Sequence, residues 1–537
     1  MSMSSVTARS STETLPTNPQ TFDTPMSASN IPGNNYRQDK SSVQEHAPNS
    51  NDANHLEKAT KVDTSNPFLV DWDDPDDPAN PLNWSKVRRW YISILISLIP
   101  LNISFASSAY TGAVFGIIAE FKVSSTVALL GVTFFVLGFA LGPLMWAPLS
   151  EMYGRNPVYL GTFAVFTIFH IPCALATNIQ TILVARFIGG VFGSAPLTNA
   201  GGSLADIWTP LERGRAMAFF ALAAFLGPIL GPIVGGFIAE YTTWRWAFRI
   251  MLIFSGVVFI LTLLTLPETY TPTILAKKAA KLRKSTGNER YQTRFELKDS
   301  NKTASQRLKI SLGRPFRLLF TEPIVLLLSI YVAFVYGILY LLFEAFPLVF
   351  EGVHHLSPGI SGLSFIGIGV GMVIAVSFTF VGDKIYADAA KKNGGRAPPE
   401  ARIPLSLAGA ILLPIGLFWF AWTTFPSVHW IAPMLAGIPF GAGMVSIFLS
   451  LTNYLVDAYL MHAASALAAN ALLRSLFGAA FPLFAIQLFQ GLGNQWGASL
   501  LGFIAVAMAP FPFLFYKYGA KVRMMSKFAM SDEAQGI

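Results

Sequence analysis

Charged residues and cysteine are both scarce in this chain. Only 13% of its 537 residues are charged, about half of the roughly 25% that soluble proteins carry. Hydrophobic residues reach 53%, and 44 of them are phenylalanine, which excludes an ordinary soluble globular protein. The single Cys173 excludes an intramolecular disulfide and is expected to be a small core residue. No apolar core follows Met1, so we expect no cleavable signal peptide.

Sequence patterns for enzymatic chemistry are also missing. The chain has no Gly-x-x-x-x-Gly-Lys-Ser/Thr loop, which argues against direct drive by ATP. His354 and His355 are adjacent, but no Glu-containing zinc-ligand pattern lies near them. We therefore expect no enzymatic activity, no metal and no cofactor. The net charge of +8 is distributed as membrane topology requires, so we expect no nucleic-acid partner.

Twelve apolar runs are long enough to cross roughly 30 Å of hydrocarbon, which takes about 20 residues each. They predict an all-α polytopic membrane protein with two six-helix bundles, 86–267 and 322–517, and a cytoplasmic central loop at 268–321. The predicted spans are 90–115, 125–148, 158–177, 181–205, 215–239, 246–267, 322–346, 358–381, 404–423, 429–455, 464–489 and 495–516.

The distribution of Lys and Arg predicts that both termini are cytoplasmic. Under that topology the cytoplasmic segments from Lys86 onward carry 28 bases and the outer loops carry three. Residues 1–85 hold five bases and twelve acids, and we expect a disordered acidic tail because they cannot bury enough apolar surface. Residues 518–537 form a short cytoplasmic tail. We expect a monomer in the plasma membrane, with the vacuolar membrane as the alternative.

The central loop contains alternating apolar and basic residues. Ile274, Leu275, Ala279 and Leu282 are interspersed with four lysines, which predicts a basic amphipathic helix on the inner leaflet. A calmodulin-type target would show a similar pattern, so that alternative stays open.

The loop between spans 2 and 3 combines a turn residue with two charged side chains. It reads Gly142-Pro-Leu-Met-Trp-Ala-Pro-Leu-Ser-Glu151-Met-Tyr-Gly154-Arg155. Gly154 permits a tight turn, Arg155 supplies a forked donor, and Glu151 offers an acceptor near the neighbouring helix ends. The pattern suits a conformational latch.

Span 5 carries repeated glycines and prolines. Glycines every four residues leave one helix face as bare backbone that can pack very closely. Two prolines lack an N–H and create a kink or hinge. A simple packing seam of small residues is the alternative. The stretch reads Gly227-Pro228-Ile-Leu-Gly231-Pro232-Ile-Val-Gly235-Gly236.

These motifs resemble the major facilitator superfamily, and in particular its fungal twelve-span drug:proton antiporters. The resemblance runs from about residue 72 to 520. It implies proton-driven export of drugs, toxins, secondary metabolites or polyamines by alternating access; a proton symporter or facilitator that imports a nutrient is the alternative. The sequence Pro-Glu-Thr-Tyr after span 6 differs from the Pro-Glu-Ser-Pro-Arg-like sequence of sugar porters. Further similar stretches are 77–85, 186–190, 244–246, 266–270, 453–459 and 466–474.

Ionisable residues inside spans are candidate functional sites, because burying them in a membrane costs several kcal/mol. The resemblance implies a proton-coupling role for Arg186; an arginine that snorkels to the outer interface is the alternative. Asp206, at the end of span 4, is expected to pair with the loop of Arg155, and proton carriage is its less favoured role. Asp457 and Arg474 are expected to form an equivalent pair in the second half.

Span 7 contains a single carboxylate, Glu344, among aromatic side chains. Tyr336, Tyr340 and Phe343 or Glu344 share one helical face. Such a face would suit cationic amphipathic ligands, and we group these residues with Asn453 as the predicted substrate site. Aromatic residues facing the lipid near the outer surface are the equally weighted alternative.

Overall fold

The structure, a computed structural model, describes residues 67–209, 212–299, 304–393, 397–526 and 528–529. Within these residues twelve helices are long and apolar enough to cross a membrane, and six lie on each side of the central loop. The twelve spans are Lys86–Phe121, Ser125–Tyr153, Arg155–Ala174, Ile179–Ile207, Arg213–Tyr241, Arg245–Thr265, Pro323–Phe350, Pro358–Lys392, Pro404–Ala421, Ile431–Ala458, Ala463–Leu492 and Asn494–Met524.

The predicted twelve-helix fold is confirmed, and most differences lie at the ends of spans. Span 12 continues to Met524, seven residues past the predicted end of the second bundle. Spans 3 and 4 are separated only by residues 175–178, and Asn178 starts span 4 by accepting the N–H of Thr181 at 2.9 Å, as an N-cap should. Cys173 is buried, as expected.

Several spans are interrupted where proline or glycine weakens the helix. Span 1 is α-helical over Lys86–Ser108, becomes a 3₁₀ helix over Ala109–Ala113 and resumes over Val114–Phe121. The other interrupted spans consist of Arg155–Ile168 and His170–Ala174, Pro358–Leu363 and Ile366–Lys392, Ile431–Leu435 and Gly437–Ala458, and Asn494–Met508 and Pro510–Met524.

Two helix pairs form most of the contact between the halves. Span 2 packs against span 11, and span 5 packs against span 8. Within the halves, span 1 lies against span 5 and span 7 lies against span 11. Spans 1, 5, 7 and 11 therefore surround the middle of the molecule, where a two-half transporter binds its cargo.

The segment that precedes span 1 has a defined structure from residue 67 onward. Strand β1 (Leu69–Val70) pairs in parallel with strand β2 (Gln292–Thr293) of the central loop. Lys278 joins the two segments by binding the Asp73 carboxylate at 2.7 Å and the carbonyl of Asp71 at 3.0 Å. Residues 67–85 therefore differ from the prediction of disorder, because their acids neutralise bases of the loop. Residues 1–66 of the predicted tail lie outside the described residues.

Asp77 shapes the turn in this docked segment. Its carboxylate accepts the N–H groups of Ala79 at 2.8 Å and of Asp73 at 3.2 Å. These backbone hydrogen bonds hold the pKa of Asp77 below its ordinary value. The carboxylate therefore stays ionised at neutral pH, beside Lys278 at 3.8 Å.

The central loop contains the predicted amphipathic helix, Thr271–Thr286, followed by Arg294–Asp299 and Ala304–Thr321. Two of the four apolar residues of its sequence pattern are covered by protein, whereas a helix on the inner leaflet would turn them to the lipid. Leu275 and Ala279 are buried, and the helix packs on β1 and β2. The strands cover the face that the sequence pattern left for the membrane.

Candidate functional site

The two halves are joined on the side predicted to be extracellular. Among the hydrogen bonds that connect them within the described ranges, four illustrate that the contacts lie in the middle or the outer part of the spans. Ser107 and Tyr340 share a hydroxyl–hydroxyl bond, Thr133 donates to the carbonyl of Ala479, Gln487 donates to Thr126, and the N–H of Gly359 donates to Glu240. The conformation is therefore one in which the outer side is closed.

Arg186 of span 4 is held entirely by the first half. It is 2% exposed, and its three nitrogens donate to the carbonyls of Gly131, Ala106 and Ser107 at 2.8–3.2 Å. Two of these carbonyls lie where span 1 turns from α to 3₁₀ geometry, which disturbs the usual backbone pairing. The snorkelling alternative is wrong, because the guanidinium points into the protein.

The aromatic face of span 7 is buried at the junction of the two halves. Tyr340 and Phe343 are 1% exposed, so the alternative of lipid-facing residues is wrong for both. The Tyr340 hydroxyl lies 2.9 Å from that of Ser107 and accepts from Tyr336 at 3.3 Å. Since Arg186 binds the carbonyl of Ser107, polar contacts run from Arg186 to Tyr336 across both halves.

Glu344 lies one helical turn beyond Tyr340, towards the predicted outer side. The side chain is half-buried, and its Oε1 is enclosed without a hydrogen-bond partner among the described residues. No described base lies within 4 Å of the carboxylate, in contrast to Asp206 or Asp457. Such a group can bind a proton or a cation without first breaking an ion pair.

The predicted contact between Arg155 and Asp206 is present, and its role as a conformational latch stays a prediction. Their side chains form an ion pair at 3.4 Å, which confirms the predicted contact. Arg155 also donates to Ser150 at 2.6 Å. Glu151 is exposed and forms no ion pair within the described part of the chain. The expected acceptor role falls instead to Glu268.

Glu268 lies in the stretch 266–270, which resembles the family, but its role at this loop was not predicted from the sequence. Its carboxylate accepts the N–H groups of Arg155 at 3.0 Å and Asn156 at 3.3 Å, which caps the start of span 3. A Cβ on Gly154, where φ is +99°, would lie 2.4 Å from this carboxylate. The glycine is thus required both by the turn and by Glu268.

In the second half, the predicted pair of Asp457 with Arg474 is not formed. The Asp457 carboxylate binds Arg402 at 2.8 Å, and Arg402 also lies 3.6 Å from Asp383. Arg402 immediately precedes span 9, as Arg155 begins span 3. Asp457 ends span 10, as Asp206 ends span 4. Equivalence of the two halves, applied to the start of span 9 and not only to the charges inside the spans, points to Arg402.

Arg474 lies instead in the middle of the protein. Its guanidinium carbon is 4.9 Å from the ring centre of Tyr336 and 5.1 Å from that of Phe448. Asn453 is exposed on the same helix as Phe448, about 8 Å nearer the cytoplasmic end at 1.5 Å per residue. The structure therefore groups Tyr336 with Arg474 and leaves Asn453 outside this group.

The glycines of span 5 pack as the sequence pattern predicts. A Cβ on Gly227 would lie 2.7 Å from the carbonyl oxygen of Leu101, and one on Gly231 would lie 2.6 Å from the nitrogen of Ala109. Both atoms belong to the backbone of span 1. Gly236 faces the other half, where a Cβ would lie 2.3 Å from the carbonyl oxygen of Pro358.

Gly142, another predicted position, serves packing. Gly142 lies against span 4, where a Cβ would be 1.5 Å from Oγ of Ser194, so it sets the distance between spans 2 and 4. Pro228 and Pro232 are buried inside a continuous helix, Arg213–Tyr241. Their hinge role stays a prediction. The described residues contain no group of three or more His, Cys, Asp or Glu that could hold a metal ion.

The chain belongs to the Major Facilitator Superfamily, whose family model matches residues 96–482. It is 49% identical over 468 residues to the "Major facilitator superfamily multidrug transporter mdrA" of Aspergillus fumigatus, covering 87% of this chain and 77% of that protein. It is 50% identical over 470 residues to the "MFS-type efflux pump MFS2" of Trichophyton rubrum, covering 88% and 79%. The resemblance to fungal exporters is thus confirmed.

A third relative and a solved structure extend the comparison. The "Citrinin biosynthesis cluster MFS transporter mrr1" of Monascus ruber is 44% identical over 484 residues, covering 90% of this chain and 96% of that protein. The partially occluded, inward-open xylose transporter XylE from E. coli superimposes with a TM-score of 0.58 at 20% identity, covering 81% and 98%. At that identity the similarity shows the fold alone.

Proposed function

We propose that this chain exports amphipathic small molecules in exchange for protons, by alternating access between its two halves. The names of its fungal relatives, a multidrug transporter and an efflux pump, support the direction of transport. Span 5, which packs closely on span 1, carries a glycine-proline pattern that resembles the pattern of the fungal drug:proton antiporters. This resemblance supports antiport. Drugs, toxins, secondary metabolites and polyamines all fall within this class of cargo.

The environment of the Glu344 carboxylate is the main support for proton coupling. Glu344 lies one helical turn from Tyr340, whose hydroxyl contacts Ser107 of the first half, and its Oε1 has no partner among the described residues. Enclosing a charged carboxylate there would be costly, and a bound proton removes that charge. In the proposed cycle, a proton taken up from outside lets the outer side close, and cargo from the cytoplasm enters after the proton leaves.

Arg186 has a positioning role in this cycle. Its donors hold the carbonyls of Ala106 and Ser107 in span 1, and Ser107 contacts Tyr340, one turn below Glu344. A change at the protonated carboxyl group can thereby reach the backbone of the first half. Asp206 carries no proton in this proposal, because it is committed to Arg155.

The proton gradient supplies enough energy for useful export. One inward proton yields about 2.3 kcal/mol per 100 mV and roughly 1.4 kcal/mol per pH unit. With ~100 mV and ~2 pH units, a one-for-one exchange supports a cargo gradient on the order of a few thousandfold. The proposed exporter works without a cofactor, as a monomer, in the plasma membrane; the vacuolar membrane is the alternative.

Transport into inside-out vesicles with an acidic lumen tests the proposal. We expect an amphipathic dye, rhodamine 6G or 8-anilinonaphthalene-1-sulfonate, to accumulate, and a protonophore to abolish the accumulation. Glu344→Gln should lose this response, whereas Glu351→Gln, a half-buried carboxyl just outside the span, should keep it. Accumulation that ignores the proton gradient would refute proton coupling, and proton-driven loss of dye from the lumen would indicate import.

A further inference from the structure

Arg474 is a cation in the core of the protein without an anionic partner. Its Nε is enclosed and has no hydrogen-bond acceptor among the described residues. No described carboxylate lies within 4 Å of its guanidinium. Asp457, its predicted partner, binds Arg402 instead. The side chain as a whole is half-buried, so part of the guanidinium fork is open towards the space between the spans.

Arg186 provides an internal comparison. Both arginines lie on two aromatic rings, Arg186 on Tyr110 and Phe135 at 4.8 and 4.1 Å. Arg186, however, also donates to three carbonyl oxygens, whereas Arg474 has no acceptor among the residues described. A structural brace of the Arg186 kind has its donors satisfied. Arg474 keeps the donors that an anion would use.

Two aromatic rings lie against the guanidinium of Arg474. Tyr336 and Phe448, the two rings that lie under the guanidinium, also border a narrow apolar gap between spans 7 and 10. Phe225 of the first half meets Phe448 edge-on at 4.9 Å, so both halves contribute aromatic residues to this region. Helical rise places these residues about 15–20 Å from the cytoplasmic ends of their spans, near the middle of the membrane.

We propose that Arg474 binds the anionic group of a planar aromatic cargo, such as an aromatic carboxylate, at this site. A guanidinium fork pairs with both carboxylate oxygens, and the rings of Tyr336 and Phe448 offer flat faces to an aromatic body. Bound cargo would neutralise a charge that otherwise stays unpaired in the membrane core. This cargo class rests on the proposed export function and adds to the cationic ligands suggested by Glu344.

Equilibrium dialysis with the full chain in lipid nanodiscs tests the proposal without requiring transport. The probes are 2-naphthoate, the neutral 2-naphthamide and the cationic 2-naphthylmethylammonium, which share one ring system. The variants are Arg474→Met, which keeps side-chain length, and Arg474→Lys, which keeps the charge. Arg249→Met is the matched control, because Arg249 also lies over an aromatic ring, Trp246 at 5.1 Å, but is exposed.

We expect the unaltered protein to bind 2-naphthoate more tightly than 2-naphthamide. Arg474→Met should weaken naphthoate binding about tenfold or more, as loss of a charge-assisted hydrogen bond does, and change naphthamide binding less than about twofold. Arg474→Lys should lose less, and Arg249→Met should change nothing. An equal loss for all three probes, or no carboxylate preference in the unaltered protein, would overturn the proposal. Proton-driven dye transport that persists in that case would leave the export function standing.

Discussion

A methyl group on Gly231 should force span 5 away from span 1. A Cβ there would lie 1.9 Å from Oγ of Ser108 and 2.6 Å from the backbone nitrogen of Ala109, whereas ordinary contacts begin at 3.4 Å. The Ser108 side chain can rotate, but the backbone nitrogen cannot move alone. The two helices must therefore separate by most of an ångström in Gly231→Ala.

The expected penalty is the usual cost of overpacking, about 1–3 kcal/mol. Alanine also favours the helix over glycine by up to ~1 kcal/mol, which offsets part of the loss. Gly256→Ala isolates that offset, because nothing lies within 4 Å of a Cβ at Gly256 in span 6. The difference between the two variants thus measures the steric effect at the seam.

The assay is thermal unfolding of the purified chain in nanodiscs, together with dye transport in inside-out vesicles. We expect Gly231→Ala to unfold about 1–3 °C below Gly256→Ala, because the unfolding temperature of so long a chain changes by only about 1 °C per kcal/mol, and to transport more slowly. Adding Ser108→Ala should restore stability only partly, because the contact with Ala109 remains. Equal unfolding temperatures and transport rates for the two single variants would refute a tight seam between spans 5 and 1.

Three further predictions follow from contacts elsewhere. Arg186→Lys should reduce transport at least about tenfold, because one ammonium group cannot hold three carbonyls in fixed geometry; unchanged transport rates would contradict this. Glu268→Ala should cost about 1 kcal/mol of stability by uncapping span 3, and Glu268→Gln should cost less in the same unfolding assay. Lys278→Met should expose residues 67–80 to limited proteolysis. The pKa of Asp77 is lowered in the folded chain. The ionised carboxylate therefore stabilises the docked segment at every pH above its ordinary pKa, and this stabilisation is lost only as the pH falls through the lower pKa of the folded state. Protection in the unaltered chain should therefore be the same from pH 5 to pH 8.

The sequence was sufficient for the spans and for one contact between the ends of neighbouring spans. Length and hydropathy define the twelve helices, and Asp206 could be paired with Arg155 because spans 3 and 4 are adjacent. The Asp457 pairing failed because Arg474 was the nearer charged residue inside a span. Its actual partner, Arg402, lies in the loop before Pro404, and only equivalence between the halves points to it.

Other contacts left no trace in the pattern of residue types. Arg186 binds backbone carbonyls, which every residue possesses, so no complementary side chain could be sought. Residues 67–85 were assigned to a disordered tail because the tail has too little apolar surface to bury, and their partner Lys278 lies about 200 residues away in the sequence. The amphipathic helix was assigned to the membrane surface because its contacts with β1 and β2 could not be predicted from the sequence.

Proton movement driven by cargo tests proton-coupled export most directly. The chain is reconstituted in proteoliposomes with its cytoplasmic side outward, a pH-sensitive dye is enclosed, and no gradient is imposed. Adding rhodamine 6G outside should drive protons out, so the lumen becomes alkaline, and Glu344→Gln should abolish this change while Glu351→Gln retains it. Acidification of the lumen would show symport, and uptake of the dye with no pH change would show transport without protons; either result would contradict the account.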